Sequence, residues 1–218
     1  MEMRQYNIPE NSIITVAGTV GVGKTTMTKR LADALGFQAS FEQVDVNPYL
    51  DLFYDDFKSW SFHLQIYFLA ERFKEQKRIF NVGGGFVQDR SIYEDADIFA
   101  RMHYENGTMT EVDYKTYVNL FEAMVLTPYF PQPDLLIYLD GPLEYILERI
   151  HQRGRPMEVK TADEYWVELH SRYENWIRNF DLCPVLTLNI KDYDLNNQHS
   201  LESIIKRVEK SIKKPDAN

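Results

Sequence analysis

The chain has 218 residues, of which 44% are hydrophobic and 14% aromatic, so we expect one domain with a sizeable core. The formal net charge of −9 argues against a nucleic-acid or anionic-membrane partner, because either would require a basic face. Cys183 is the single cysteine, which excludes an internal disulfide and fits a reducing cytoplasm. The polar start of the chain and the lack of a long apolar run predict neither a signal peptide nor a membrane span.

The first motif runs from Gly18 to Thr25, and its letters GTVGVGKT fit the phosphate-binding P-loop pattern G-x-x-x-x-G-K-[ST]. The pattern predicts that Lys24 lies near the β- and γ-phosphates of a nucleoside triphosphate and that the Thr25 hydroxyl holds magnesium. An apolar run at 12–17 predicts a strand before the loop, and the apolar periodicity at 24–35 predicts a helix after it. The residues expected to bind phosphate are Gly18, Thr19, Val20, Gly21, Val22, Gly23, Lys24, Thr25 and Thr26.

Strands and helices alternate along the rest of the chain, which predicts an α/β fold with a parallel sheet covered on both faces. Further strands are expected at 37–41, 86–88, 135–139 and 185–190, and helices at 56–80, 93–105, 110–127, 142–152 and 161–180. Residues 42–50 are expected to form a loop and residues 207–218 a frayed, charged tail. We therefore predict one domain over 1–218 with a five-stranded sheet of the P-loop NTPase kind. Ligands of such sheets bind beyond the carboxyl ends of the strands.

A P-loop indicates a nucleotide but not a reaction. The guanine-reading pattern Asn-Lys-x-Asp of GTP switches is absent from the sequence. The run 135–140 resembles the acidic strand of ATPases, but a core strand that ends in a surface aspartate is the favoured interpretation. A small-molecule kinase remains, and it needs a cationic lid. Arg149, Arg153 and Arg155 flank Gly154, and we predict such a lid at about 149–160, although a solvated basic helix end stays open as the alternative.

The expected acceptor side of the site is acidic. Glu42 and Asp45 follow the second strand, and two carboxylates would repel an acceptor phosphate, so an uncharged hydroxyl acceptor fits better. Glu42 is the candidate general base. Gln65 and Arg72 lie two turns apart on one face of an otherwise apolar helix, where polar side chains need partners. The Gln65 carboxamide can pair with the edge of adenine or cytosine.

Four further motifs together resemble the deoxyribonucleoside kinase family, and within it the bacterial deoxyadenosine/deoxycytidine kinase branch. They are Glu42-x-Val44 followed by Asn47-Pro48-Tyr49-Leu50, Trp60-Ser61-Phe62-x-x-Gln65, Asp89-Arg90-Ser91-x-x-x-Asp95, and Arg153-Gly154-Arg155-x-x-Glu158. The resemblance covers about residues 10–195. Gln43 departs from the pattern, since many members have proline there, and Asp89 replaces the glutamate of mammalian relatives.

The resemblance implies a role for each matched residue. Glu42 is similar to the base that deprotonates the sugar 5′-hydroxyl, and Arg90 to the arginine that holds the arriving phosphoryl group. Asp89 is expected near the magnesium ion and the 5′-hydroxyl, together with Thr25 as a metal ligand. The remaining matches are Tyr54 and Glu158 with the sugar 3′-hydroxyl, Asp95 with Arg72 and the base amino group, and Phe99 stacked on the base.

The implied activity is transfer of the γ-phosphate of ATP or GTP, with Mg²⁺, to the 5′-hydroxyl of deoxyadenosine or deoxycytidine. A deoxyguanosine kinase, a nucleoside monophosphate kinase and a nucleotide-binding partner module remain alternatives. The helices at 56–80 and 110–127 carry much apolar surface for one small domain. Because members of the family usually pair through such helices, the resemblance implies a homodimer or a heterodimer with a related kinase.

Overall fold

A five-stranded, all-parallel sheet forms the centre of the molecule. The computed structural model describes residues 6–42, 44 and 46–212, so the expectations for residues 1–5 and 213–218, Gln43 and Asp45 lie outside the described residues. The strands are β1 Ile13–Ala17, β2 Gln38–Ser40, β3 Phe86–Asp89, β4 Leu135–Asp140 and β5 Val185–Asn189. Their order in the sheet is β2-β3-β1-β4-β5, and the predicted α/β P-loop fold is confirmed.

Helices cover the sheet. In chain order they are α1 Lys24–Leu35, α2 Leu50–Asp55, α3 Phe57–Val82, α4 Ile92–Glu94, α5 Arg101–Glu105, α6 Glu111–Val125, α7 Leu143–Arg153, α8 Pro156–Lys160, α9 Asp163–Asn179 and α10 Gln198–Ser211. A π-helical segment, Asp95–Ala100, joins α4 to α5. None of the helices in the described part of the chain is long and apolar enough to span a lipid bilayer.

The position of each strand follows from its apolar pattern. All five residues of β1 are buried, as are all but the last residue of β4, because these strands are covered on both faces. The edge strand β5 instead alternates between buried and more exposed positions. The apolar faces of α1, α7, α9 and α10 pack on this sheet and form the main core with it. A second cluster packs α3 and α6 against the π-helical segment.

Three elements differ from the sequence-based expectation. The predicted loop 42–50 ends in α2, which the structure separates from α3 at Asp56. Asp56 is extended, with φ −150° and ψ 90°, and its side chain accepts a hydrogen bond from the Ser59 amide, so it caps α3. Within the predicted helix 93–105 the central turns are π-helical. The short helix α8 begins at Pro156, which is a favourable first helical residue.

The expected frayed tail from residue 207 is wrong for the part that the structure describes. Helix α10 continues to Ser211, and its residues Leu201, Ile204, Ile205 and Val208 are buried against the sheet. The lysines and arginines that suggested fraying alternate with this apolar stripe at helical spacing, so one face is solvated and the other packs.

Candidate active site

The loops that follow β1, β2 and β3 meet at one edge of the sheet. A cavity of about 280 Å³ opens there, as expected beyond the carboxyl ends of parallel strands. From the P-loop it is lined by Val20, Gly21, Lys24 and Thr25, and from the predicted acceptor side by Glu42, Tyr54, Gln65, Asp89, Arg90, Asp95, Phe99 and Glu158. Arg153 and Arg155 also line it. Of the predicted acceptor-side residues, Arg72 alone is not part of the lining and lies behind it.

The P-loop backbone binds the side chain of its own lysine, Lys24. Gly18 has φ 138°, and a Cβ there would lie 2.7 Å from the Leu139 carbonyl oxygen, so only glycine fits. The Lys24 ammonium donates hydrogen bonds to the carbonyl oxygens of Gly18 (2.8 Å) and Thr19 (2.9 Å). Burial, together with the nearby Arg90 charge, lowers the pKa of Lys24 to about 8. The cation is thus held where an incoming phosphate would meet it.

Thr25 and Asp89 form the contact on which a metal site would depend. The Thr25 hydroxyl donates to Asp89 Oδ2 at 2.6 Å, and Asp89 Oδ1 is buried with no partner among the described residues. The described residues hold no group of three or more His, Cys, Asp or Glu side chains that could enclose a metal. A hydroxyl and one carboxylate fit Mg²⁺, which usually keeps waters and substrate phosphates as its other ligands.

Glu42 lies between two guanidinium groups. Its Oε1 accepts from Arg72 Nη2 at 2.7 Å and lies 3.2 Å from Arg90 Nε. Burial acts to raise the pKa of Glu42, but the charges of Arg90 and Arg72 outweigh it, and the net shift is downward. The carboxylate is therefore ionised and able to accept a proton.

Arg72 connects Glu42 to the neighbouring acids. Its Nε donates to Asp95 Oδ2 at 3.1 Å, and its Nη1 donates to the carbonyl oxygen of Asp89 at 2.8 Å. Burial raises the pKa of Asp95 to about 6, and the Arg72 charge only partly opposes it. The predicted pairing of Asp95 with Arg72 is present in the structure.

Arg90 adopts an unusual backbone conformation. Its φ of 70° makes it the one non-glycine among the described residues with positive φ, and such strain costs on the order of 1–3 kcal/mol. Its guanidinium carbon lies 4.7 Å from the centre of the Phe99 ring, and its Nη1 donates to the Tyr173 hydroxyl at 2.6 Å. With this backbone, the Arg90 side chain lines the cavity beside Glu42.

The far end of the cavity is apolar with polar groups at its base. Gln65 is 2% exposed, and its Oε1 is buried with no partner among the described residues. Asp95 and Phe99 face the same space, and Leu64 and Phe68 add apolar walls. An unpaired buried acceptor is costly unless a ligand satisfies it.

The other side of the cavity is formed by α2, the end of α7 and α8. Glu158 is buried and pairs with Arg153, and its Oε1 lies 3.4 Å from Arg155 Nη1. Burial and the neighbouring Glu158 charge raise the pKa of Tyr54, which stays a neutral hydroxyl. The structure therefore brings Tyr54, Glu158 and two of the three predicted lid arginines to one wall.

The comparisons with known proteins agree with this geometry. Residues 14–213 match the family model described as "Deoxynucleoside kinase". The chain belongs to the deoxynucleoside kinase family. It is 68% identical over 207 residues to a deoxyadenosine/deoxycytidine kinase of Bacillus subtilis, which covers 94% of this chain and 95% of that protein. It is 39% identical to a deoxyadenosine kinase of Dictyostelium discoideum, over 84% of this chain and 74% of that protein.

Solved structures show the same relationship. A deoxyadenosine kinase from M. mycoides with dCMP and dCDP bound has a TM-score of 0.79 at 30% identity and covers 91% of this chain and 99% of that one. The same enzyme with bound dATP gives a TM-score of 0.78 at 31% identity, over 90% of this chain and 98% of that one. The chain is thus a deoxynucleoside kinase, a phosphotransferase with an alcohol acceptor.

In this deoxynucleoside kinase, Arg149 lies apart from the other predicted lid arginines. It lines a second cavity of about 740 Å³ on the other side of the P-loop, together with Val22, Gly23, Thr26, Tyr145 and the segment 190–196 after β5. Its guanidinium lies 5.7 Å from the Tyr145 ring centre, and Lys191 Nζ lies 5.3 Å from the same ring. The sequence analysis missed this cavity, although β5 was expected to end at the same edge of the sheet.

The sequence analysis also missed Glu94 and Tyr173. Ser91 and Glu94 form a capping box at the start of α4, and this S-x-x-E pattern is readable in the sequence. Tyr173 lies in α9, far from every motif, and its aromatic character gave no signal that its hydroxyl meets Arg90.

Proposed function

We propose that this deoxynucleoside kinase transfers the γ-phosphate of ATP or GTP to the 5′-hydroxyl of deoxyadenosine or deoxycytidine, with Mg²⁺. One observation carries the proposal. The Glu42 carboxylate is ion-paired with Arg72 and Arg90 and faces the same cavity as Lys24 and Thr25 of the P-loop. A proton acceptor and the phosphate-binding residues of the P-loop therefore line one cavity of about 280 Å³.

The residues divide the reaction between them. Glu42 accepts the proton of the 5′-hydroxyl as its oxygen attacks phosphorus, which contributes about 10²–10⁴ in rate. The oxygen–phosphorus bond to the donor's β-phosphate breaks, and the nucleoside diphosphate leaves. Lys24, the P-loop amides and Arg90 neutralise the charge of the phosphoryl group in transit, and Arg153 and Arg155 close over it as a lid.

Magnesium would be held by the Thr25 hydroxyl and the Asp89 carboxylate. Asp89 Oδ1 has no partner among the described residues, which leaves it available to a metal-bound water. When bound, the ion neutralises phosphate charge and aligns the donor. The hydrogen bond between Thr25 and Asp89 fixes both groups at the mouth of the P-loop.

The base end of the cavity supports adenine or cytosine. Both bases present an amino group next to a ring nitrogen, and Gln65 can accept from the first and donate to the second. Asp95 is a second acceptor for the amino group, and Phe99 offers a stacking face worth about 1–3 kcal/mol. The relationship to the deoxyadenosine/deoxycytidine kinase of Bacillus subtilis, at 68% identity, supports this preference, whereas the deoxyguanosine kinase of that species is 33% identical.

The donor is proposed to lie across the P-loop from the nucleoside. Its base would occupy the second cavity near Arg149 and Tyr145, and its phosphates would follow the P-loop to Lys24. The two cavities share the P-loop as a common wall. This arrangement points the γ-phosphate toward Glu42 and Arg90.

We also propose that the kinase pairs through α3 and α6 and works in the cytoplasm, where triphosphate donors are found. Phe80 and Val82 at the end of α3 and Val112 and Leu120 on α6 are exposed. An apolar face of this kind fits a second copy or a related kinase. A monomeric mass in light scattering at micromolar concentration would contradict the pairing.

The substitution Glu42→Gln tests the base. It keeps the shape of the side chain and removes the proton acceptor, so kcat should fall about 10²–10⁴-fold while the dissociation constant of deoxyadenosine stays near wild type. Asp33→Asn, in an exposed ion pair with Lys29 on α1, is the matched control and should change neither quantity. Near wild-type turnover of Glu42→Gln would remove Glu42 from the base role.

A panel of substrates separates the remaining alternatives. ATP consumption is measured with each of the four deoxynucleosides and with deoxyadenosine monophosphate. We expect turnover with deoxyadenosine and deoxycytidine, because the Glu42 carboxylate would repel a phosphate on the acceptor and Gln65 favours an amino group. Turnover with the monophosphate would indicate a nucleoside monophosphate kinase, and preferred turnover of deoxyguanosine would contradict the role given to Gln65.

A further inference from the structure

A buried line of hydrogen bonds runs beneath the cavity through Tyr173 and Glu94, two residues that have no role in the proposed reaction. Arg90 Nη1 donates to the Tyr173 hydroxyl at 2.6 Å, and that hydroxyl donates to Glu94 Oε1 at 2.9 Å. The same Glu94 oxygen accepts a longer hydrogen bond, 3.4 Å, from the amide of Gly18 in the P-loop. Gly18 in turn accepts from Lys24 through its carbonyl oxygen. The line therefore joins the two halves of the site.

Both linking side chains are removed from water. Glu94 and Tyr173 are each 0% exposed, so their polar atoms depend on these bonds. The Tyr173 hydroxyl has one donor and one acceptor partner, which satisfies it. The other oxygen of Glu94 accepts from the amide and hydroxyl of Ser91, which fixes the carboxylate at the start of α4.

Tyr173 also supports the base end of the cavity. Its ring meets the edge of Phe99 with a centroid distance of 6.3 Å, and Phe99 lies against the Arg90 guanidinium. A single residue of α9 therefore fixes the arginine of the phosphoryl site and the aromatic ring proposed to stack on the base. Arg90 needs such support, because its backbone has the strained φ of 70°.

We propose that Tyr173 and Glu94 are positioning residues that hold Arg90 in register with the P-loop, so that the donor and acceptor halves of the site stay aligned. Neither lines the cavity, and both act through Arg90 and Gly18. The inference rests on the proposed role of Arg90. Removing the Tyr173 hydroxyl takes away one of the contacts that hold Arg90 in place, while Glu42 and Phe99 still contact Arg90 and the nucleoside pocket keeps its shape.

The test is Tyr173→Phe, with Tyr117→Phe as the matched control. Both tyrosines are fully buried, but the Tyr117 hydroxyl has no hydrogen-bond partner among the described residues. Tyr173→Phe should lower kcat about 10–100-fold, the usual range for a hydrogen bond to a charged group, with the nucleoside KM changed less than threefold. Tyr117→Phe should leave both near wild type.

A double-mutant cycle checks the link to Glu94. The double variant Tyr173→Phe/Glu94→Gln should lose no more turnover than the worse of its single variants, because each substitution interrupts the same line of hydrogen bonds between Arg90 and Gly18. Multiplicative losses would overturn the coupling. Thermal unfolding of each variant shows whether it folds, and the Tyr173→Phe comparison stands even where Glu94→Gln does not fold.

Arg90→Gln separates failure of this inference from failure of the proposed function. If Arg90→Gln loses turnover while Tyr173→Phe behaves as Tyr117→Phe does, the positioning inference is wrong and the role of Arg90 stands. If Arg90→Gln turns over at the wild-type rate, the role of Arg90 and the inference fall together. A loss in Tyr173→Phe confined to KM also overturns the inference.

Discussion

At the scale of single residues, the site works by opposed effects on charge. Burial favours the neutral form of each group, and a neighbour of opposite charge favours the ionised form. For Glu42 the charges of Arg90 and Arg72 outweigh the effect of burial, and its pKa is lowered. For Asp95 the effect of burial outweighs the charge of Arg72, and its pKa rises to about 6. For Lys24 burial and the Arg90 charge act in the same direction.

Lys24 gives the kinase an alkaline limit. Its pKa is lowered to about 8, so the free enzyme loses this cation as pH rises through that value. The kcat/KM for the triphosphate donor, which reports the free enzyme, should fall above about pH 8, whereas kcat should persist to higher pH because bound phosphate favours the ammonium. A pH–rate series checks this, and a donor kcat/KM that stays constant to pH 10 would contradict it.

At the scale of elements, α10 shows how a charged sequence can still form part of a core. Val208 is fully buried, while Lys210 in the same turn is exposed. Val208→Ala should lower the free energy of unfolding by about 2 kcal/mol, through lost burial and a residual cavity. Lys210→Ala should change it by less than about 0.5 kcal/mol. Denaturant unfolding compares the two variants. Small and equal effects would indicate that the end of α10 is frayed rather than packed on the sheet.

At the scale of the whole molecule, His103 lies where three parts of the chain meet. Its ring in α5 packs against Phe53 of α2, Phe57 of α3 and Tyr165 of α9. Its Nδ1 lies 2.9 Å from the Thr108 hydroxyl, and its Nε2 is buried without a partner among the described residues. Burial, helped by the Arg172 charge, lowers the pKa of His103 to about 4.

His103 should make the kinase sensitive to acid. The unfolded chain takes up its proton near pH 6.5 and the folded protein only near pH 4. At His103 the unfolded state therefore binds more protons in this window, and this residue contributes a rise of on the order of 3 kcal/mol in the free energy of unfolding across it, whereas Asp95, whose pKa is raised to about 6, contributes in the opposite direction. His103→Gln should remove the His103 contribution, so the free energy of unfolding of this variant should rise less with pH than that of the wild type between pH 4 and 6.5. An unchanged slope would assign the acid sensitivity to other groups.

The sequence by itself determined the fold class, the P-loop and the family, because glycine spacing, strand–helix alternation and four short motifs are local properties of the chain. It also predicted which side chains meet at the sheet edge, since parallel strands deliver their carboxyl ends to one place. It failed where packing between distant segments decides the outcome: α10 is a helix because its apolar stripe finds the sheet, and the π-helical turn forms within the second apolar cluster. Only the tertiary structure showed that Arg149 lines a different cavity from Arg153 and Arg155. It also showed the hydrogen bond between Arg90 and Tyr173, which are 83 residues apart in the sequence. Such hydrogen bonds depend on where two helices cross, and no local pattern encodes that.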